Sequence, residues 1–234
     1  MEQRLLTLQG SSGYTKKIRY DVSPPLVEKK LEKQGLILFL HDLTGGPSTM
    51  HPLIQQLAET PQQGYPLMDS YTFVNMALPP LEGSMSYNDP SEEEDSSEVV
   101  SKICDEVGRP TEMIGIGVGL AGHLCLKWMR TMPETMQKFV SIDWAPHVAE
   151  SRDPINAMRT TLHHLGPDPS RRILMLHCPL PEEAEAALDA SDFPPRQFSH
   201  QACGTGGGGS SSILQEVPEV AALLIARWMF PWKP

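Results

Sequence analysis

The stretch Ile114-Gly115-Ile116-Gly117-Val118-Gly119-Leu120-Ala121-Gly122-His123 decides how the chain is read. Apolar β-branched residues lead into a glycine-rich turn, and the turn leads into a segment with helical spacing. Two mechanisms use a strand, a tight turn and a helix in this order. In a nucleophile elbow, G-x-S-x-G, the bend lifts one side chain above the sheet, and small residues on either side let the helix pass close to the strand. Here Gly117 and Ala121 are the flanking small residues, and Gly119 stands where the serine belongs. In a dinucleotide fingerprint, G-x-G-x-x-G, the turn cradles a pyrophosphate. Gly117, Gly119 and Gly122 match that spacing, and Asp143 ends the next strand, where a ribose-binding acid would sit.

Position in the chain separates the two. A dinucleotide fold places this turn after its first strand and then needs several further strand–helix units. Good strands precede the motif here, and only a few follow Asp143. The elbow is therefore the preferred reading, with an oxidoreductase using the glycines at 117–122 as an alternative.

Working outward, residues 36–40 (Leu-Ile-Leu-Phe-Leu) form a continuous apolar run, the mark of a strand covered on both faces. Strands are also expected at 71–77, 113–116, 139–142, 173–176 and 197–200, with short edge strands at 5–8 and 17–20. Helices are expected at 51–59, from Ser91 through Val107, at 121–131, 182–188 and 217–230. Strands alternating with helices predict a mostly parallel sheet with helices on both faces. The loops at 41–47, 77–87 and 117–122 then share one rim, at the C-terminal ends of the strands. The whole chain, 1–234, reads as one α/β domain in the α/β-hydrolase fold, with a vestigial cap at 146–170 and a flexible Gly/Ser loop at 204–212.

The rim lacks the expected chemistry. Gly119 has no side chain, so no acyl-enzyme can form there. His41 sits where an oxyanion loop begins, but Asp42 replaces the glycine, and a carboxylate repels a developing oxyanion. Near the acid position only Glu182 is available, and N-terminal helix chemistry explains it. His200 falls about four residues before the position of a base. These positions, Gly119, His41 and Asp42, are degenerate, and no catalytic residue is assigned. A residual hydrolase would need another nucleophile, such as Cys125, Ser141 or Cys203. The turn still offers outward N–H groups to an anion or small ligand. His41, Asp42, Gly117, Val118, Gly119 and Leu120 are the candidate ligand-binding residues.

The block IGIGVGLAGHLCLKW resembles the N-myc downstream-regulated (NDRG) family, whose members are non-catalytic proteins of the α/β-hydrolase fold with glycine in place of the serine. His41-Asp42 matches the family's His-Asp after strand three, and Pro79-Pro80-Leu81-Glu82-Gly83 echoes its Pro-x-x-Glu-Gly loop. Met132-Pro133-Glu134 with the strand after Lys138, and Gly204 through Gln215 and Pro218, are similar to further family patterns. The cap is shorter than the family's, and its Ser/Arg-rich C-terminal tail has no counterpart. The resemblance implies a cytoplasmic regulatory or adaptor protein that acts through protein partners in signalling, stress response, differentiation or trafficking.

Composition sets the outer limits. Apolar residues make up 40% of the 234 residues, enough for a sizeable core. A formal charge of -10 disfavours nucleic acid and anionic membrane as partners. No run of about 20 apolar residues suggests an integral membrane segment, and the first residues lack a signal peptide's apolar stretch. Cys104, Cys125, Cys178 and Cys203 form no CxxC pair and read as thiols in a reducing compartment. No cofactor or metal is expected.

Overall fold

The computed structural model describes residues 1–9, 15–23, 35–42, 45–62, 65–77, 90–108, 110–119, 121–143, 154–180, 182–189, 196–204 and 213–230. The chain opens with strands β1 (Glu2–Gln9), β2 (Thr15–Val22) and β3 (Gly35–Leu40). A 3-10 turn (Pro47–Met50) leads into helix α1 (His51–Glu59). Short elements β4 (Pro61–Gln62), β5 (Tyr65–Pro66) and α2 (Leu67–Ser70) precede β6 (Tyr71–Met76) and α3 (Pro90–Glu106). Then come β7 (Glu112–Val118), α4 (Ala121–Thr131), β8 (Met136–Ile142), α5 (Pro154–Leu165), β9 (Arg172–His177) and α6 (Glu182–Asp189). The chain closes with β10 (Phe198–Ala202), α7 (Ile213–Glu216) and α8 (Pro218–Met229).

Eight strands form one sheet in the order β1-β2-β6-β3-β7-β8-β9-β10. β1 pairs antiparallel with β2, and β2 antiparallel with β6. Every other pairing is parallel. The expectation of a mostly parallel sheet with helices on both faces holds, and the run 36–40 shows why. All six residues of β3 are buried. Leu36, Leu38 and Leu40 face one core layer with Val99, Val100, Ile103, Cys125, Trp128 and Leu162. Ile37 and Phe39 face the other with Leu53, Leu57, Ala222, Ile225 and Met229. A strand alternates its side chains, so a strand covered on both sides needs apolar residues at every position.

The hairpin differs from the sequence expectation. β1 and β2 each run for 8 residues, and β2 lies inside the sheet between β1 and β6. The expected strands 5–8 and 17–20 are the middle of these, where Leu6 and Ile18 pair with each other and are buried. Of the proposed cap segment, 146–153 lies outside the described residues. Its described part contains α5, which packs beside α4 and buries Thr161, Leu162 and Leu165. Most of the Gly/Ser loop, 205–212, also lies outside the described residues.

The approach of α4 to β7 depends on Gly117. A Cβ there would lie 2.9 Å from the backbone C and O of Ala121 and from the N of Gly122. These are backbone atoms of a helix and cannot rotate aside. Gly117→Ala is expected to cost about 1–3 kcal/mol, as overpacking does. It should appear as a lower urea midpoint with an unchanged slope, and an unchanged midpoint would contradict the close approach.

Candidate functional site

In a doubly wound sheet, ligands sit outside the C-terminal ends of the strands, where the strand order reverses direction. From β3 the chain winds outward to β6 on one side and continues through β7, β8, β9 and β10 on the other. The crevice therefore opens between the ends of β3 and β7. The last paired positions are Leu40 with Gly117, Val118 with Ile142, Ile142 with Leu176, and His177 with Ala202. Beyond them the backbone bonds step along the rim. Gly119 N–H donates to the Ile142 carbonyl at 2.8 Å, Asp143 N–H to Leu176 at 3.0 Å, and Cys203 N–H to His177 at 2.8 Å.

The turn after β7 has the geometry of an elbow. Gly119 adopts a φ of 56°, in the left-handed region. Gly122 N–H returns to its carbonyl at 3.1 Å as α4 begins. A Cβ at residue 119 would project toward Asp42, 2.7 Å from Oδ1 and 3.0 Å from Cγ. The space in which an elbow nucleophile would start thus holds the carboxylate of a neighbouring loop. That loop is held from both sides. His41 is buried, with Nδ1 2.6 Å from the Asp42 carbonyl. A carbonyl only accepts, so Nδ1 is the donor. Asn75 Nδ2 donates to the Pro47 carbonyl at 2.9 Å and anchors the far end of the loop to β6. Among the candidate ligand residues, His41, Asp42 and Gly119 meet at the rim. Gly117 is enclosed between β7 and α4, and Val118 is buried in the α1/α8 core layer. Leu120, like the loop at 79–83, lies outside the described residues.

The other slots of a triad hold different chemistry. After β9, Cys178 donates its S–H to Asp143 Oδ1 at 3.7 Å. Asp143 follows β8, adopts a φ of 54°, and accepts the Ile213 N–H on Oδ2 at 2.8 Å. After β10 comes Cys203, not a histidine. His200 faces away from this row. Its Nδ1 lies 3.3 Å from His177 Nε2, and its Nε2 lies 2.9 Å from Asp189 Oδ1, on the α6 side of the sheet. Glu182 is exposed at the start of α6. Sequence reasoning weighed Asp143 only as the ribose-binding acid of the dinucleotide alternative, and it missed the contact of Cys178 with that carboxylate at the rim. Their one signal was position, immediately after the apolar strands 139–142 and 173–176.

The alternative nucleophiles are poorly placed. Cys125 is fully buried on α4, and burial drives its thiol pKa far up. Ser141 Oγ is buried beneath α4 and would lie 3.1 Å from a Cβ on Gly122. Cys203 is 8% exposed, and burial, then Asp143 and Cys178, push its thiol up to about 11. Only the thiolate is a nucleophile, so neither cysteine is activated.

No protein-family model matches the chain, and no curated protein does. Solved structures share its architecture. A thermophilic esterase from Thermogutta terrifontis is 12% identical with a TM-score of 0.59, and the match covers 97% of this chain and 98% of that one. A predicted CIB-like hydrolase from Thermoplasma acidophilum is 10% identical with a TM-score of 0.60, over 97% and 98%. MGS-MChE2, an α/β hydrolase enzyme from the sediment metagenome of the Mar Chica lagoon, Morocco, is 18% identical with a TM-score of 0.55, over 96% and 97%. The chain has the α/β-hydrolase fold. At these identities the likeness defines the fold and not the reaction.

The non-enzymatic adaptor is overturned, because the structures that match nearly end to end are an esterase and hydrolases. The sequence reading put the Asp42 carboxylate beside an oxyanion hole; in the structure its Oδ1 lies 2.7 Å from where a side chain on residue 119 would begin. The dinucleotide alternative loses its footing too. β7 follows β1, β2, β3 and β6 of the same sheet, whereas a dinucleotide fold opens on the strand that leads into this turn. No helix among the described residues is long and apolar enough to cross a membrane.

The raised thiols carry a pH dependence. Burial lifts Cys104 and Cys203 from 9.0 to about 11, with Asp105 adding at the first and Asp143 and Cys178 at the second. Between these values the folded chain keeps protons that the unfolded chain releases. The associated stability is complete below pH 9.0 and lost as the pH climbs to about 11. Melting temperature should fall across that window, and Cys203→Ala should make the fall shallower. An identical slope in the variant would contradict the burial of this thiol.

Proposed function

We propose that the chain is a hydrolase of carboxylic-ester-type substrates in which Asp42, and not a side chain on the elbow, is the acting group. One observation carries this reading: Asp42 Oδ1 lies 2.7 Å from the point where a side chain on residue 119 would begin. Its position at the β3/β7 crevice and its partial exposure support it, as does the esterase and hydrolase character of the structural neighbours.

The chemistry needs no residue at 119. The Asp42 carboxylate takes a proton from a water molecule while the water oxygen bonds to the substrate carbonyl carbon. The carbonyl oxygen gains the negative charge and faces the N-terminal end of α4, whose dipole favours an anion. The intermediate then expels the alkoxide, which recovers the proton from Asp42. The product acid and alcohol leave, and the carboxylate is regenerated. His41 acts as a positioning residue through the backbone of Asp42. Asp42 and Gly119 form the substrate-facing wall, with the buried His41, Gly117 and Val118 behind it.

Kinship with the NDRG family is a part of this reading that concerns ancestry alone, supported by Gly119 and by His41-Asp42. A reducing, cytoplasmic setting belongs to it as well, supported by the thiol state of all four cysteines.

The test is a panel of p-nitrophenyl esters of increasing acyl length. The native chain should turn over at least one of them, and Asp42→Asn should lower kcat/KM by about 100-fold or more with an unchanged melting temperature. A native chain inert toward every ester, or a variant as active as the native chain, would refute Asp42.

A further inference from the structure

We propose that Cys178 and Cys203 form a thiol–disulfide exchange site for low-molecular-weight disulfides such as oxidised glutathione. The two residues stand one position beyond His177 and Ala202, the last register pair of β9 and β10. The Cys203 N–H donates to the His177 carbonyl at 2.8 Å, so the strands are still in step there. Neighbouring strands lie about 4.8 Å apart, and a disulfide spans Cα separations of about 4.4–6.8 Å. Both side chains turn to the same side of the sheet. Cys203 belongs to the core layer under α1 and α8, and Cys178 packs against that layer. Nothing bulky intervenes at the following residue. Gly204 has no side chain, and a Cβ on it would lie 3.8 Å from Cys178 Sγ.

The two thiols have different access and different partners. Cys178 is partly exposed and gives its S–H to Asp143 Oδ1 at 3.7 Å, which supplies a route for its proton. Cys203 is buried, and burial, Asp143 and Cys178 together hold its thiol protonated up to about 11. The order of events follows. Cys178 loses its proton through Asp143 to solvent, and its sulfur attacks one sulfur of the reagent. The reagent S–S bond breaks, and one glutathione leaves as a thiolate that picks up a proton. Cys203 then loses its proton to solvent and its sulfur attacks Cys178 Sγ; the bond from Cys178 to glutathione breaks, and the second glutathione leaves as a thiolate that picks up a proton. Two protein thiols are oxidised, one reagent disulfide is reduced to two thiols, and two protons pass from the protein to the departing thiols. The second step is the slower one, because its nucleophile is the buried thiol. Closure removes one donor from Asp143, which also holds the first N–H of α7. The other cysteines are excluded as partners. Cys104 and Cys125 lie in the opposite core layer, on α3 and α4. This exchange chemistry is independent of Asp42.

The experiment incubates the full native chain with oxidised glutathione, blocks the remaining thiols with iodoacetamide, and maps peptides without reduction. Two of the four thiols should be lost, and a single linked peptide should join Cys178 to Cys203. Cys203→Ser should instead trap one glutathione on Cys178, and Cys178→Ser should leave Cys203 unmodified. The native peptide map decides the matter even where a variant fails to fold. Four intact thiols, a glutathione that stays on Cys178 of the native chain, or a link to Cys104 or Cys125 would overturn the proposal.

Discussion

Helix α4 can begin in contact with β7 only because residue 117 has no Cβ, and the rest of the rim follows from that contact. A turn this tight forces its apex into the left-handed region, where Gly119 has a φ of 56°. It aims the missing side chain of residue 119 across the crevice toward the end of β3, 2.7 Å from Asp42 Oδ1. An ordinary elbow fills that space with its own nucleophile. Here the loop after the neighbouring strand β3 fills it from the other side. The carboxylate and the absent side chain are two solutions to the same steric problem, since both cannot be accommodated.

The parallel sheet turns this local geometry into a row of chemistry. Asp42, Gly119, Asp143, Cys178 and Cys203 are scattered across the sequence, yet each stands at the end of a strand in the same sheet. Register places them side by side, and backbone N–H bonds from Gly119, Asp143 and Cys203 continue the ladder past the last paired residues. The row carries acids and thiols where a hydrolase triad carries a hydroxyl, an imidazole and a carboxylate. His177 and His200 stack on each other at a centroid distance of 5.5 Å on the α6 side.

Much of the fold was legible in the sequence because burial on both faces of a strand leaves an unmistakable record. The run 36–40 and the passage from Ile114 into helix α4 are such records, and the mostly parallel sheet they implied is the one observed. Helix α5 was less legible, because its described buried face consists of Thr161, Leu162 and Leu165, and the first of these is polar. The site was legible only by position. His41, Asp42 and Gly119 were singled out, but the direction of Asp42's side chain depends on the pairing of Leu40 with Gly117, a contact between residues far apart in the chain. The contact between Asp143 and Cys178 escaped notice for the same reason. No local pattern records a hydrogen bond between the ends of two strands.

The central claim is that the reacting centre lies against Asp42 in the β3/β7 crevice. The most direct measurement is a crystal structure of the chain with an alkyl boronic acid, which adds hydroxide to form a tetrahedral mimic of the ester intermediate. The account predicts a boronate whose hydroxyl lies within hydrogen-bond reach of the Asp42 carboxylate, with a second oxygen toward the start of α4. A boronate joined covalently to a different side chain, or seated away from this crevice, would contradict it.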